Sequence, residues 1–226
     1  MAVSVLSDKL VFPPVREAEP DGLLAIGGDL SVPRLLLAYR QGIFPWYEGD
    51  YILWWSPDPR FVLFPEELRV SRSMRTLLRR TAWRFTVNQA FSQVIRACRT
   101  VPRAGQDGTW ITGEMEQAYI QLHELGIAHS AEVWQEDQLV GGLYGLRLGR
   151  VFFGESMFSL RANASKLAFV RYVHQLQAEQ VALIDCQVYT AHLDSLGARM
   201  IARSRFLELL RELTGEAESA RGRSGH

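Results

Sequence analysis

The 226-residue chain lacks the features that identify membrane, secreted and disulfide-rich proteins. No run of about 18 apolar residues occurs, so the sequence predicts no transmembrane helix and no membrane contact. The first ten residues lack a long apolar segment after basic residues, which argues against secretion and favours the cytoplasm. The two cysteines, Cys98 and Cys186, lie in apolar surroundings without Cys-x-x-Cys spacing. We therefore expect two buried free thiols and no metal site.

Acidic residues are absent from residues 68–106, although the net charge of the whole chain is zero. The same stretch contains nine arginines, which create a local positive field for which phosphate groups are natural ligands. A solvated helix face whose acidic partners lie on other segments would show the same pattern. Helical spacing brings several of these arginines to one side. The candidate phosphate contacts are Arg72, Arg75, Arg79, Arg80 and Arg84.

Two carboxylates interrupt apolar, strand-like segments. Glu155 lies within the run Val151 to Ser159, and Asp185 lies two positions before Gln187 at the end of a second short run. Burial of a carboxylate costs several kcal/mol unless the group is paired or used. Two such acids in neighbouring elements indicate a functional site, although two structural acids with satisfied hydrogen bonds would fit the spacing equally well.

Periodicity divides the chain into a small, loop-rich N-terminal domain (residues 1–60), an α+β domain (residues 61–213) and a polar tail (residues 214–226) that we expect to be disordered. Aromatic residues in the first domain could stack on bases or form its core. The second domain predicts the order helix, three-strand antiparallel meander, helix, strand, short helix. This order resembles the acyltransferase fold called GNAT, with a mixed, mainly antiparallel sheet flanked by helices. In that fold two strands separate to form the reaction site.

A glycine-rich pyrophosphate loop is missing at the place where the GNAT fold binds acetyl-CoA. Users of acetyl-CoA carry Arg/Gln-x-x-Gly-x-Gly/Ala between the meander and the main helix, where backbone N–H groups hold the pyrophosphate. Residues 156–165 occupy this place with the sequence Ser-Met-Phe-Ser-Leu-Arg-Ala-Asn-Ala-Ser. Since this segment contains no glycine, an acyl donor other than CoA is favoured.

A series of short motifs extends from about residue 12 to about residue 198. They are Gly22-Leu-Leu-Ala-Ile-Gly-Gly-Asp-Leu-Ser, Gly42-Ile-Phe-Pro-Trp, Leu53-Trp-Trp-Ser-Pro-Asp-Pro-Arg, Gly108-Thr-Trp-Ile-Thr, His123-Glu-Leu-Gly, Gly154-Glu-Ser-Met-Phe-Ser, Asn163-Ala-Ser-Lys and Ile184-Asp-Cys-Gln. In these motifs and their order, the chain resembles the leucyl/phenylalanyl-tRNA–protein transferases of bacteria. Several motifs in sequence are far more specific than any one alone.

This resemblance implies an aminoacyltransferase that moves Leu or Phe, and Met less well, from aminoacyl-tRNA to a protein. The acceptor is the α-amine of a protein that begins with Arg or Lys, and the product is marked for degradation. Because the donor is already an activated ester, the reaction requires no cofactor, metal or ATP. It requires placement of the amine and stabilisation of the oxyanion. We expect a monomeric, cytoplasmic enzyme.

The resemblance also assigns roles to the acidic and amide residues. Gln187 is expected beside the attacking amine and Asp185 to polarise or orient that amine, with proton transfer to the leaving ribose oxygen or to a water. Glu155 suits recognition of a cationic N-terminal Arg or Lys, because a partly buried carboxylate needs a cation to offset its desolvation.

Further residues correspond to the family's positions for the transferred side chain and the 3′ adenosine. The side-chain pocket corresponds to Leu143, Gly154, Met157, Tyr172, Leu176 and Ile184. The adenosine site corresponds to Trp46 and Trp110, with Tyr39 and Tyr119 nearby, and Thr190 is a further substrate-binding position just after the strand that contains Gln187. The family pattern has Met in place of Leu143, Phe in place of Tyr172 and Leu176, and Asn in place of Thr190.

Two other functions remain open from the residues alone. An N-acyltransferase that uses acyl-CoA would share the element order but would need the missing pyrophosphate loop. A non-catalytic RNA-binding protein would need only the arginines and aromatic residues, but this alternative leaves Glu155 and Asp185 unexplained.

Overall fold

The computed structural model describes residues 3–80, 82–101 and 111–215, which form two β-sheets and the helices that flank them. The first sheet has the strand order β1-β2-β4-β3 and lies entirely before Ser56. Only β1 and β2 pair in parallel, and the other pairs are antiparallel. Its strands are Ser4–Leu6 (β1), Leu23–Gly27 (β2), Phe44–Pro45 (β3) and Leu53–Trp55 (β4).

The second sheet has the strand order β11-β5-β10-β9-β8-β7-β6. Neighbouring strands pair in antiparallel fashion except β9 and β10, which pair in parallel. The predicted α+β class and the predicted meander, β7 to β9, are thus confirmed. The strands are Arg60–Leu63 (β5), Arg84–Val87 (β6), Ala128–Gln135 (β7), Gln138–Leu148 (β8), Val151–Ser159 (β9), Leu183–Gln187 (β10) and Arg199–Ile201 (β11).

Threonine side chains cap the starts of two helices. The side chain of Thr112 accepts a hydrogen bond from the backbone N–H of Met115, and Thr190 does the same for Leu193, which fixes two helix starts. Within the described ranges, every helix is too short or too polar to span a bilayer. The helices are Val32–Arg40 (α1), Arg72–Arg80 (α2), Phe91–Thr100 (α3), Gly113–Glu124 (α4), Ala164–Ala178 (α5), Ala191–Asp194 (α6) and Arg203–Leu213 (α7).

One hydrophobic cluster extends across both sheets. It contains Leu24 and Trp54 from the first sheet together with Tyr144 and Phe153 from the second, all buried. Trp54 has no exposed surface, and its indole N–H donates to the carbonyl of Gly27 at 2.8 Å. A second cluster packs α2 and α5 against the other face of the large sheet. The two sheets therefore share a core instead of meeting at a polar interface.

Strands β9 and β10 separate part of the way along the large sheet. Their parallel pairing ends where Asp185 lies beside Phe153, but β9 continues for six more residues. At the same level the pairing of β8 with β9 shifts, so that Glu155 is an extra residue between two paired positions. Such a β-bulge bends a strand and redirects its side chains. It opens the sheet at Glu155.

Several strands differ from the sequence-based prediction. The last strand of the meander, predicted from Arg150 to Glu155, extends to Ser159, because the bulge accommodates the acid without ending the pairing. The short β11 was missed because it pairs only with β5 and leaves Met200 exposed, so it has no buried alternation. Strand β4 lies in the domain predicted to be loop-rich, and its aromatic residues pair with β2 and β3.

We predict that Gly145→Ala destabilises the protein, because Gly145 lies opposite the bulge without room for a side chain. A Cβ atom there would lie 2.1 Å from the carbonyl oxygen of Phe153 and 2.5 Å from the ring of Phe152. Forcing atoms into a packed region costs about 1–3 kcal/mol or more, which urea denaturation would measure. The matched control is Gly113→Ala, where the nearest atom is 3.8 Å away in the first turn of α4. Equal stability of the two variants would contradict the prediction.

Candidate active site

A cavity of about 770 Å³ lies where β9 and β10 separate, and we call it the main cavity. Its walls come from both strands, from α5 and from the loop that contains Trp46 in the first sheet. Glu155 and Gln187 face it from the two sides of the opening. The structure brings together eight of the predicted residues as lining of this cavity: Trp46, Leu143, Gly154, Glu155, Met157, Ile184, Gln187 and Thr190.

The apolar wall of the main cavity is more aromatic than the sequence indicated. Tyr172 and Leu176 are buried in the core and do not line the cavity. The ring of Tyr172 instead packs edge-on against Phe152, at 5.2 Å between centroids, and Phe152 forms the wall. On α5 the lining residue is Phe169, which lies one turn before Tyr172 on the same face of the helix. The helical period could identify that face, but not which turn reaches the opening.

Other lining residues were not among the predicted site residues, although Phe44 and Phe158 lie within two of the motifs that carry the family resemblance. Aromatic and aliphatic residues of this kind are usually core residues, so composition alone does not mark them. They are Phe44, Phe158, Val188 and His192, in addition to Phe152 and Phe169.

Glu155 accepts three hydrogen bonds. Its Oε1 accepts from the Tyr39 hydroxyl at 2.7 Å and from the Gln187 side-chain amide at 2.8 Å. Its Oε2 accepts from the Tyr119 hydroxyl at 3.0 Å. Burial raises the pKa of Glu155 to about 7, with the charge of Asp185 adding to the rise, while these three hydrogen bonds oppose it. The carboxyl group is therefore close to half protonated at neutral pH.

Tyr39 and Tyr119 lie behind Glu155. Neither has exposed surface, and each hydroxyl also contacts the other, at 2.5 Å. Tyr39 comes from α1 and Tyr119 from α4, so two separate helices hold the carboxylate. Burial raises the pKa of both tyrosines well above the ordinary value, so both hydroxyls remain protonated donors. The structure therefore places them against Glu155 and not on the wall where an adenosine would stack.

Asp185 is fully buried in an ion pair with Arg60. The guanidinium donates two hydrogen bonds, from Nε at 2.8 Å and from Nη2 at 2.7 Å, one to each carboxylate oxygen. Arg60 also donates to the carbonyl of Gly42 at 3.2 Å and lies 4.7 Å from the ring centroids of Phe44 and Phe206. Asp185 is not among the residues that line the main cavity.

Gln187 is held by Asp185 through its backbone. The N–H of Gln187 donates to Oδ1 of Asp185 at 2.9 Å, and Gln187 has a φ of 64°. At the same point the pairing of β10 with β5 shifts by one residue. The left-handed backbone conformation is uncommon for glutamine and marks a conformation maintained by its surroundings. The turn directs the amide toward Glu155.

The predicted phosphate contacts lie on the surface. Arg72, Arg75, Arg79, Arg80 and Arg84 are all exposed. Among the described residues, no carboxylate lies within ion-pair distance of these five side chains, whereas Arg96 and Arg99 both pair with Glu116. The Arg84 guanidinium lies over the Trp134 ring, 5.0 Å from its centroid. The arginines of α2 thus form a positive surface without acidic partners in the described part of the chain. Two predictions, Trp110 and the tail from residue 216, lie outside the described residues.

The α+β fold, with an amide and a carboxylate facing an apolar cavity between separated strands, is the arrangement expected of an acyl-group transferase. Two family models match the chain: "Leucyl/phenylalanyl-tRNA protein transferase" over residues 62–211 and the N-terminal domain of the same family over residues 28–58. The chain belongs to the leucyl/phenylalanyl-tRNA protein transferase family and is an aminoacyltransferase.

Curated relatives with the name leucyl/phenylalanyl-tRNA–protein transferase agree over nearly the whole chain. The protein of Syntrophobacter fumaroxidans is 60% identical over 94% of this chain and 91% of its own. The protein of Chromobacterium violaceum is 58% identical over 92% of this chain and 90% of its own. Among solved structures, a GCN5-related N-acetyltransferase from Kribbella flavida is 12% identical with a TM-score of 0.38, covering 74% of this chain and 60% of its own.

We predict that Glu155 makes the folded protein less stable as pH rises. Its pKa is about 7 when folded against an ordinary value of 4.5, so between these values the folded state binds the proton more tightly than the unfolded state. Stability is therefore lost as pH rises through this window. Relative to Glu155→Gln, the free energy of unfolding of the wild type should fall by up to about 3 kcal/mol between pH 4 and pH 8, as urea denaturation would measure.

Glu67→Gln is the control for this pH dependence. Glu67 is on the surface, and its hydrogen bonds with Arg199 lower its pKa. Its contribution therefore has the opposite sign, because it is lost as pH falls. Parallel pH profiles for the wild type and Glu155→Gln would show that Glu155 has an ordinary pKa.

Proposed function

We propose that the protein transfers Leu or Phe, and Met less well, from aminoacyl-tRNA to the α-amine of proteins that begin with Arg or Lys. The observation that carries this proposal is the main cavity, in which the carboxylate of Glu155 and the amide of Gln187 face an apolar, aromatic wall. The family of the chain supports the donor and the type of reaction. We further propose that the product is marked for degradation in the cytoplasm.

The apolar wall suits the transferred side chain. Met157, Leu143 and Ile184 form it together with the rings of Phe152 and Phe169. An unbranched or γ-branched side chain fits such a slot, while β-branched Ile and Val are excluded by shape. Apolar pockets discriminate by only about 1–3 kcal/mol per methylene, so some transfer of Met is expected.

Gln187 is proposed to place the attacking amine. One N–H of its amide is occupied by Glu155, which leaves the amide oxygen to accept a hydrogen bond from the α-amine. The amine nitrogen then attacks the ester carbonyl carbon and the ester C–O bond breaks. The amine proton passes to the leaving ribose oxygen. Because an amide is a poor base, Gln187 orients the amine and does not remove its proton.

Asp185 acts through Gln187 in this proposal. Both of its oxygens accept hydrogen bonds from Arg60, and one also accepts from the Gln187 backbone. It is a positioning residue that sets the turn from which the Gln187 side chain extends. This differs from the expectation that Asp185 polarises or orients the amine directly.

Glu155 is proposed to recognise the positive charge of the acceptor. It lies within hydrogen-bond reach of Gln187 and hence beside the proposed position of the amine. A carboxyl group with a pKa of about 7 gains affinity for a cation as it ionises, and a bound cation stabilises the ionised form. A bound Arg or Lys would thus offset the desolvation cost of the ionised Glu155 carboxylate.

The tRNA is proposed to approach over α2 with its 3′ adenosine on Trp46. Trp46 is 37% exposed at the edge of the main cavity and lies 5.9 Å from the Trp55 ring, so one face of a stacking platform is accessible. Stacking on an aromatic side chain contributes about 1–3 kcal/mol per base. The arginines of α2 would contact acceptor-stem phosphates without reading the sequence.

The acceptor assay tests the function and the role of Glu155 together. With labelled Leu-tRNA and a peptide that begins with Arg, the wild type should place label on the peptide, and acetyl-CoA should not compete. We predict that Glu155→Gln raises KM for the Arg peptide by on the order of tenfold or more, because the charge-assisted interaction is lost. The KM for Leu-tRNA should change little.

The pH dependence of the same reaction separates recognition from structural damage. In the wild type, KM for the Arg peptide should fall as pH rises through about 7, since ionised Glu155 attracts the cation. Glu155→Gln should lack this trend. Unchanged peptide kinetics in that variant would refute the role of Glu155, and absence of labelled peptide with the wild type would refute the function.

Salt dependence tests the contribution of α2 to tRNA binding. The logarithm of the binding constant should fall linearly with the logarithm of salt concentration. We predict that replacing Arg75, Arg79 and Arg80 by Gln reduces the slope by about 2–3, roughly one for each phosphate that an arginine no longer neutralises. Arg205→Gln is the control, because Arg205 lies on α7 and pairs with Glu208. If the three substitutions left the slope unchanged, the tRNA would have to bind another surface of the protein.

A further inference from the structure

A second, polar cavity of about 400 Å³ adjoins the main cavity and has no role in the proposed transfer step. It lies between the end of β9 and the first turn of α5. We call it the basic cavity, because Arg161, Lys166 and His192 line it. Among the described residues in its wall, none carries a carboxylate. The charged side chains in its described wall are therefore all basic.

The two cavities adjoin and share three lining residues. Ser159, Ser165 and His192 line both. A molecule that lies across these side chains would reach from the main cavity to the basic cavity. The chemical group at that end would have to be anionic and polar, since Arg161 and Lys166 supply positive charge and the serines supply hydroxyl groups.

The backbone between β9 and α5 forms a turn that hydrogen bonds hold in place. Asn163 has a φ of 67°, and the chain turns sharply there before α5 begins. The Ser159 hydroxyl accepts from the backbone N–H of Ser165 at 3.2 Å and donates to the carbonyl of Arg161 at 2.8 Å. These bonds hold the strand end against the helix start. The positive end of the 15-residue α5 thus faces the same side as the cationic side chains.

His192 supplies an independent indication of a ligand. Its Nε2 is shielded from solvent and has no hydrogen-bond partner among the described residues. Burial lowers the pKa of His192, and the charge of Lys166 lowers it further, so the imidazole is neutral at neutral pH. In a neutral imidazole Nε2 donates a hydrogen bond in one tautomer and accepts one in the other, and in the described part of the chain it has no partner of either kind. Buried polar groups of this kind usually have a partner.

We propose that the basic cavity binds the phosphodiester that joins the last two nucleotides of the donor RNA. Lys166 and Arg161 are its cationic contacts and His192 its hydrogen-bond donor. The inference rests on the proposed function, because an amino acid held in the main cavity is esterified to the terminal ribose, and the 5′ oxygen of that same ribose carries this phosphodiester. The arginines of α2 would hold the stem, while the basic cavity would hold the end of the strand.

Two minimal donors test this proposal. One is leucyl-adenosine, which has no phosphate, and the other is leucylated cytidylyl-(3′→5′)-adenosine, which has the single phosphodiester in question. The wild type should use the dinucleotide donor with a kcat/KM at least about tenfold higher, as expected for charge-assisted hydrogen bonds. In Lys166→Met the ratio of the two kcat/KM values should fall toward one.

Two further variants control this comparison. Lys166→Arg should restore the ratio, since it keeps the charge, and Arg205→Gln on α7 should leave it unchanged. A wild-type ratio near one, or an equal loss for both donors in Lys166→Met, would overturn the proposal. Absence of transfer from every donor, including complete Leu-tRNA, would instead refute the proposed function and leave the basic cavity to be decided by a binding measurement.

That measurement is the NMR titration of His192, assigned by comparison with His192→Gln. Bound phosphodiester should raise the pKa of His192, because an anion beside the imidazole favours its charged form. Cytidylyl-adenosine should therefore raise it, whereas adenosine with an equal concentration of inorganic phosphate should not. A rise with inorganic phosphate alone would indicate a general anion site and contradict the assignment. No rise with the dinucleotide would also overturn it.

Discussion

The buried pair between Arg60 and Asp185 determines the arrangement of the active site. It joins β5 to β10, reaches the carbonyl of Gly42 in the first part of the chain, and places Arg60 between two aromatic rings. Because a buried ion pair contributes little net stability, its value lies in conformational specificity. The geometry supports this interpretation, since Asp185 also fixes the backbone of Gln187 in a left-handed turn. The pair thus aligns a side chain that it does not itself contact.

Glu155 differs from Asp185 in the charge of its hydrogen-bond donors. Asp185 is matched by a permanent cation, whereas Glu155 has only neutral donors among the described residues and a pKa raised by burial. The bulge that exposes it also opens the sheet. In the proposed function, a carboxylate that is costly to bury in the empty site and is stabilised by an arriving cation would favour a charged acceptor. The raised pKa of Glu155 and the proposed selectivity would then have the same cause, the burial of the carboxylate.

The two acids of the candidate site could be selected from the sequence, but their hydrogen-bond partners could not. Acids within apolar strands identified Glu155 and Asp185, and periodicity predicted the meander and α5, because these signals are local. The partner of Asp185 lies 125 positions away, and Tyr39 lies 116 positions from Glu155, so no spacing rule could find them. Which turn of α5 reaches the opening, and hence whether Phe169 or Tyr172 lines the cavity, depends on packing against the whole sheet.

These separations along the chain have a consequence for synthesis of the protein. Contacts between distant residues form only after both segments are available, and they are slow because a long loop must close first. Tyr39 and Arg60 are synthesised early, but the carboxylates to which they donate hydrogen bonds, Glu155 and Asp185, lie in β9 and β10. The growing polypeptide therefore cannot form the candidate site until Gln187 has emerged from the ribosome. Interrupted translation would yield a fragment in which Tyr39 and Arg60 lack their hydrogen-bond partners from β9 and β10.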